Sequence, residues 1–162
     1  MIETERLFLR PLVKEDFPSL LKMYKEPDSN KFIRPLRGKT EAEYASFLNL
    51  KLSNNSQANG YFLTVLNENQ EVLGTANFNF FEALQLEHIG VHLMRNAWGC
   101  GYGTEIIKAL VKFAESKGRT EIHALVEKGN HPSVKMLEKS GLSFSENLIL
   151  SGDQLMLCKL IF

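Results

Sequence analysis

At 162 residues and 44% hydrophobic content, the chain can bury about two-thirds of its unfolded surface and is expected to fold as one domain over 1–162. Nineteen basic residues balance nineteen acidic ones with no basic run, which argues against a nucleic-acid or membrane-surface role. Cys100 and Cys158 follow no metal or redox spacing, and neither a signal core nor a stretch of transmembrane length is present, so a soluble, metal-free cytoplasmic protein is expected.

Residues 6–10 alternate polar and apolar, as a strand with one buried face does, and Pro11 ends it. Asp16 followed by Pro18 marks a helix start, with Leu20, Leu21 and Tyr24 on one face and Pro27 and Asp28 as the stop. Thr40 is a cap for a second helix carrying Tyr44, Phe47, Leu48 and Leu52. Residues 53–60 read as a polar turn. From Tyr61 the pattern turns β, with strands over 61–66, 72–81 and 86–94. A helix is predicted over 104–117, where Ile106, Ile107, Leu110, Val111 and Ala114 form one apolar stripe and Gly118 is the stop. A strand over 120–126 and a short helix opening at Asn130 and closing at Gly141 come next. A hairpin of 142–150 and 154–161, turned at Ser151-Gly152-Asp153, completes the order β-α-α-β-β-β-α-β-α-β-β.

Before the long helix lies Trp98-Gly99-Cys100-Gly101-Tyr102-Gly103-Thr104-Glu105. Glycine admits backbone angles that other residues avoid and removes the Cβ that would keep a ligand off the amides. A helix opening straight after such a loop aims its unpaired N–H groups and positive dipole end at it, which suits a phosphate or pyrophosphate. A tight turn needing positive φ is the alternative. A Walker loop would end Gly-Lys-Ser/Thr, and Gly103-Thr104-Glu105 lacks the lysine. A dinucleotide fold places its glycines after the first strand of a βαβ unit, not behind an antiparallel meander. A second anion-friendly helix start, Asn130-His131-Pro132-Ser133, also follows a strand, so both can open on the same side of one sheet.

At this point the chain resembles the GNAT superfamily of acyl-CoA-dependent N-acetyltransferases, and within it the RimJ/RimL type that acetylates protein N-termini. The resemblance covers nearly the whole length. It rests on Thr4-Glu5-Arg6-Leu7-Phe8-Leu9-Arg10-Pro11, on the glycine segment, and on Asn130-His131-Pro132-Ser133 followed by Glu138-Lys139-Ser140-Gly141-Leu142. It implies a mixed α/β fold of the α+β type: a mostly antiparallel central sheet, helices on both faces, and splayed strands holding acyl-CoA. It also implies acetyl-CoA as cofactor and an amine as acceptor, in a monomer or homodimer. That acceptor is a protein or peptide N-terminal α-amine, or else a small amine such as a polyamine, an antibiotic or an amino-acid analogue. A CoA-binding module without catalysis is a further alternative.

In the family pattern Q/R-x-x-G-x-G/A, Trp98 takes the Gln/Arg place, and Gly101 and Gly103 are the paired glycines. The resemblance thus assigns Trp98, Gly99, Cys100, Gly101, Tyr102, Gly103 and Thr104 to the pyrophosphate. It implies a bulged, splayed strand at 89–94 whose Leu93, Met94 and Arg95 amides face pantetheine and thioester. Asn130 and Ser133 match positions that contact the cofactor arm, although Asn130 reads equally as a helix cap.

The attacking amine must be neutral, which at pH 7 costs roughly 4–5 kcal/mol for a lysine-like amine and about 1 kcal/mol for an α-amine. His88 stands where many family members carry a glutamate and is a candidate base, with water as the alternative. Alternation sends its neighbour Glu87 to the opposite face, while His92 shares the face of His88. His123 and His131 read as structural or exposed. The oxyanion would meet a backbone N–H, that of Met94. Leu137 replaces a tyrosine found in many members, so Ser133 becomes the candidate acid, unless it only caps a helix or touches the cofactor. Cys100 reads as a variable loop position. Acceptor recognition is expected from the first two helices and their joining loop, with Phe32 and Ile33, and from Phe78, Phe80 and Phe81. Phe78 and Phe80, at alternate positions, also read as core.

Overall fold

The computed structural model describes residues 1–55 and 60–162. Strands β1 (Ile2–Glu3) and β2 (Leu7–Pro11) lead into helices α1 (Phe17–Tyr24) and α2 (Glu41–Asn54). A meander of β3 (Tyr61–Asn67), β4 (Val72–Phe81) and β5 (Leu86–Leu93) follows. Then come α3 (Tyr102–Ser116), β6 (Glu121–Glu127), α4 (His131–Lys139), β7 (Ser143–Leu150) and β8 (Asp153–Ile161). The expected element order is found, with β1 added at its start. The expected turn over 53–60 is corrected at Ser53 and Asn54, which belong to α2, and its residues 56–59 lie outside the described residues.

Local chemistry accounts for the ends of these elements. Thr40 caps α2 in a reciprocal box with Glu43: the Thr40 hydroxyl accepts from the Glu43 amide at 3.2 Å, and the Glu43 carboxylate accepts from the Thr40 amide at 2.6 Å. The β7–β8 turn is the two residues Ser151 and Gly152, both at positive φ (50° and 85°), which matches the right-handed twist of the strands it joins.

The strands form one sheet in the order β1-β2-β3-β4-β5-β6-β8-β7. Every neighbouring pair is antiparallel except β5–β6, which is parallel. Each face carries its own apolar core. On one face Ile106, Ile107, Leu110 and Ala114 of α3 and Leu137 of α4 pack on Leu7, Leu9, Val65, Ala76, Phe78 and Ile89. On the other, Leu20, Met23 and Tyr24 of α1 and Tyr44 and Leu48 of α2 pack with Leu12, Leu36 and Met94. Covered on both sides, β3 buries the continuous run Leu63, Thr64, Val65 and Leu66. Among the described residues no helix is long and apolar enough to cross a membrane.

The parallel pair positions the site. Among the described residues β5 and β6 share one register pair, His88 with His123, and no further ladder pair beyond it, so the strands part toward their C-terminal ends. Both following helices, α3 and α4, start at that open end. The expected bulge in β5 is not found: its ladder with β4 runs unbroken from Leu86–Phe81 to Leu93–Gly74. The irregularity sits one strand away, at the β3–β4 shift beside Val65 and Leu66.

Candidate active site

The glycine loop leaves β5 through a single helical turn at Arg95–Ala97 and then bends sharply. Gly99 (φ 74°) and Gly101 (φ 81°) occupy the left-handed region, and a Cβ at either would find room, so backbone angle is what selects glycine there. Gly103 differs. It lies in α3, where a Cβ would come within 2.5 Å of the Met136 sulfur, so it lets α4 approach.

Gly101 is the N-terminal cap of α3 and supplies no side chain. The first backbone bond of the helix runs from the Glu105 amide to the Gly101 carbonyl (3.1 Å), and the N–H groups of Tyr102, Gly103 and Thr104 have no partner among the described residues. The other two helices at issue are closed: α2 by Thr40, and α4 by Asn130, whose side-chain oxygen accepts from the Ser133 amide at 3.4 Å. Glu105, the acid in the first turn of α3, is turned away from these amides. It accepts from the Thr4 hydroxyl (2.6 Å), the Arg6 amide (2.9 Å) and the Arg6 guanidinium (2.8 Å). Arg6 also donates to the Cys100 carbonyl at 3.0 Å and lies over the Tyr102 ring. Three free amides at a positive dipole end, with the local carboxylate already neutralised, fit a pyrophosphate.

Trp98 holds the loop to the strand it leaves: its indole N–H donates to the Leu93 carbonyl at 2.8 Å. The expected row of amides at Leu93, Met94 and Arg95 is corrected. The Met94 amide donates to the Leu73 carbonyl (2.8 Å) and the Arg95 amide to the Glu26 carboxylate (2.9 Å), so neither is free. Antiparallel hydrogen bonding alternates along a strand, and with Met94 bonded toward β4 the Leu93 N–H points the other way, into the gap toward β6.

His88 sits at the closed end of the gap, on the α1/α2 face. Its Nδ1 lies 3.3 Å from the Asn79 carbonyl and its ring meets Phe81 edge-on at 5.4 Å. Burial pushes its pKa down to about 4. His92, on the same face, contacts Ser29 Oγ at 2.9 Å and stacks obliquely on Tyr24, and burial takes it to about 4 as well. Glu87 is on the other face, paired with Arg119 at 2.5 Å. His123 is buried against the Glu87 carbonyl, and His131 is exposed. Ser133, half-buried on the first turn of α4, belongs to the open end. His88 and Leu93 are five residues apart along β5, about 17 Å. The structure therefore puts His88 and Ser133 at opposite ends of the gap and does not join them. Leu137 is in the core, and Phe78 is core as well, packed on Tyr61 and Phe113.

The segment joining α1 to α2 spans the gap on the His88 face. It is anchored on β5 by Ser29–His92. On β6 it is anchored by Glu127, whose Oε1 accepts from the Arg34 amide (2.9 Å) and the Arg37 guanidinium (3.1 Å). Arg34 further pairs with Asp153 at the start of β8 (3.0 Å). Sequence reasoning missed these ties, because the partners lie at least 63 residues apart and share no motif.

A family model described as an acetyltransferase (GNAT) domain matches residues 6–143. The uncharacterised N-acetyltransferase p20 of Bacillus licheniformis is 33% identical over 151 residues, covering 91% of this chain and 83% of the relative. A GNAT-family acetyltransferase from Bacillus anthracis superposes with a TM-score of 0.84 at 19% identity, over 99% of this chain and 97% of that one. RimL, a ribosomal L7/L12 α-N-protein acetyltransferase solved with coenzyme A, superposes with a TM-score of 0.81 at 15% identity, over 98% and 96% of the two chains. At those identities the structures report a shared fold, and the family model carries the membership. The chain belongs to the GNAT family of acetyltransferases and is an acyltransferase.

Proposed function

We propose that the chain, acting over 1–162 as one domain, moves an acetyl group from acetyl-CoA to a protein or peptide N-terminal α-amine, in the manner of the RimJ/RimL type. The observation that carries the cofactor is the uncapped start of α3 at the open end of the β5–β6 gap. Tyr102, Gly103 and Thr104 amides would hold the pyrophosphate, with Gly99, Cys100 and Gly101 shaping the loop and Trp98 fixing it to β5. The Leu93 N–H is the donor left for the pantetheine arm or the thioester carbonyl, in place of Met94. Asn130 and Ser133 line the open end, the first as the cap of α4, the second with a hydroxyl suited to the departing thiolate. Acetyl-CoA, when bound, supplies the activated acetyl group.

The acceptor class follows from basicity. A histidine held at about 4 is neutral at pH 7 yet too weak to strip a lysine-like amine. An α-amine near 7.8 is already neutral in about one molecule in seven at pH 7, so it needs only a hydrogen-bond acceptor or water. RimL, of the same fold, acts on such an amine by its name. Two unpaired cysteines suit the cytoplasm, where we place the reaction. CoA release should be followed with a panel of N-terminal peptides and small amines. The reading requires kcat/KM to rise with pH along the acceptor amine, near about 7.8, and not along His88. Transfer to small amines alone would move the assignment to a small-molecule acetyltransferase, and CoA binding without any transfer would end it.

A further inference from the structure

The Leu93 N–H, the donor left for the thioester, belongs to the peptide unit that begins at His92, while His88 stands four residues further back on β5. His92 rises half-buried from the α1/α2 face of the strand, with Thr75 of β4 as its register partner. Its outer nitrogen, Nε2, meets Ser29 Oγ at 2.9 Å, and the ring stacks on Tyr24. A proton on Nε2, donated to Ser29, leaves the lone pair on Nδ1, and contact with the Ser29 main chain favours that proton. Nδ1 is bonded to Cγ, so it lies low over the strand, and among the described residues it has no partner.

The carboxylates at this end are engaged: Glu26 by the Arg95 amide, and Glu127 by the Arg34 amide and the Arg37 guanidinium. A free carboxylate beside an acceptor amine would hold it as ammonium, the form that cannot attack, and raise its pKa. A neutral imidazole accepts an N–H without that penalty, and the amine nitrogen keeps its lone pair. Burial keeps the His92 ring neutral at pH 7.

We propose that His92 receives the acceptor amine: its Nδ1 accepts one N–H and turns the nitrogen lone pair toward the thioester beside Leu93, while Ser29 sets the tautomer. The inference rests on the acetyltransferase reading and supplies the amine-binding residue for it. In the transfer the N–C bond forms and the C–S bond breaks, with its electron pair going to sulfur. The proton shed by nitrogen passes to that thiolate or to water, and His92 gains none.

Steady-state transfer is measured for the full chain and its variants with whichever amine of the panel is turned over, beside calorimetric titration with CoA. His92→Phe keeps a ring against Tyr24 and deletes the acceptor, so kcat should fall about thirtyfold with the Kd for CoA within twofold. His92→Gln keeps an acceptor oxygen and should recover most of that loss. His92→Glu should hold the bound amine as ammonium and move the rise of kcat upward by about one pH unit, which a purely structural role would not do. That profile decides the matter even if His92→Phe fails to fold. A His92→Phe chain with kcat within twofold of wild type overturns the proposal. So does a CoA affinity that falls in parallel with kcat, or a kcat profile that stays in place in His92→Glu. Transfer to small amines alone would change the acceptor class and leave His92 standing. If no amine is turned over, the acetyltransferase reading falls, and His92 is judged by hydrolysis of acetyl-CoA, with water in the place of the amine. Slower hydrolysis by His92→Phe then keeps the proposal, and equal rates overturn it.

Discussion

Arg6 reaches across ninety-nine residues to Glu105, and the contact is two-sided: guanidinium and main-chain amide both bond the one carboxylate, which the Thr4 hydroxyl also caps. The N-terminal Thr4-Glu5-Arg6 run is thereby fixed to the first turn of α3, directly behind the three free amides. Burial acts to raise the Glu105 carboxyl, but the bonds from Thr4 and Arg6 outweigh it and hold the group below the usual carboxylate range. The tie is therefore complete at neutral pH and is lost only as pH falls through that lowered value. Glu105→Gln keeps the shape, removes the charge and leaves Arg6 unneutralised. We expect CoA affinity to fall about three- to tenfold, with a small change in Tm, because the Arg6 side chain is 42% exposed. Calorimetric titration with CoA checks this, and an unchanged Kd would mean that Arg6 and Glu105 do not shape the loop.

Trp98 is the chain's one tryptophan, it lies on the same loop, and its ring is half-exposed. Its emission should change on CoA titration, giving a direct binding signal from the proposed pyrophosphate site. Trp98→Phe deletes the bond to the Leu93 carbonyl, and a neutral hydrogen bond is worth about 1 kcal/mol, so CoA binding should weaken by roughly fivefold. Trp98→Gln, which keeps a donor, should weaken it less. Fluorescence that ignores CoA while calorimetry reports binding would place the cofactor away from this loop.

The loop was legible in the sequence because its requirement is local: positive φ at Gly99 and Gly101 demands glycine, and the stripe Ile106, Ile107, Leu110 and Ala114 marks the helix behind it. The Met94 amide was not legible. Whether an amide faces the gap or the neighbouring strand depends on hydrogen-bond parity with β4, and parity is a property of the pair, not of the residue. Thr4 and Arg6 could be read only as part of a resemblance, since their partner Glu105 sits in another element.

Glu127 anchors the α1–α2 segment to β6, while Ser29 anchors it to β5, so the segment bridges both sides of the gap. Cutting one anchor should loosen that wall without touching the amides of α3. For Glu127→Ala we expect the acceptor KM to rise about tenfold and the Kd for CoA to change less than twofold. Steady-state kinetics with the best peptide, beside CoA titration, separates the two. Parallel losses in both constants would show that the segment supports the whole gap and not the acceptor side.

His88 and His92 make the fold sensitive to acid in a defined window. Each has a folded pKa near 4 against an ordinary value of 6.5, because burial disfavours the charged ring. The folded chain keeps both neutral while the unfolded chain takes up protons, so stability is full above about pH 6.5 and drains away down to about pH 4. At about pH 5 each histidine should cost roughly 2 kcal/mol relative to pH 7. Urea melts at the two pH values measure the sum, and His92→Gln should remove about half of the difference. Ring-carbon NMR assigns it, since neither ring should titrate above about pH 5. A His88 ring titrating near 6.5 would restore it as an effective general base. It would also remove the reason for preferring an α-amine over a lysine-like acceptor.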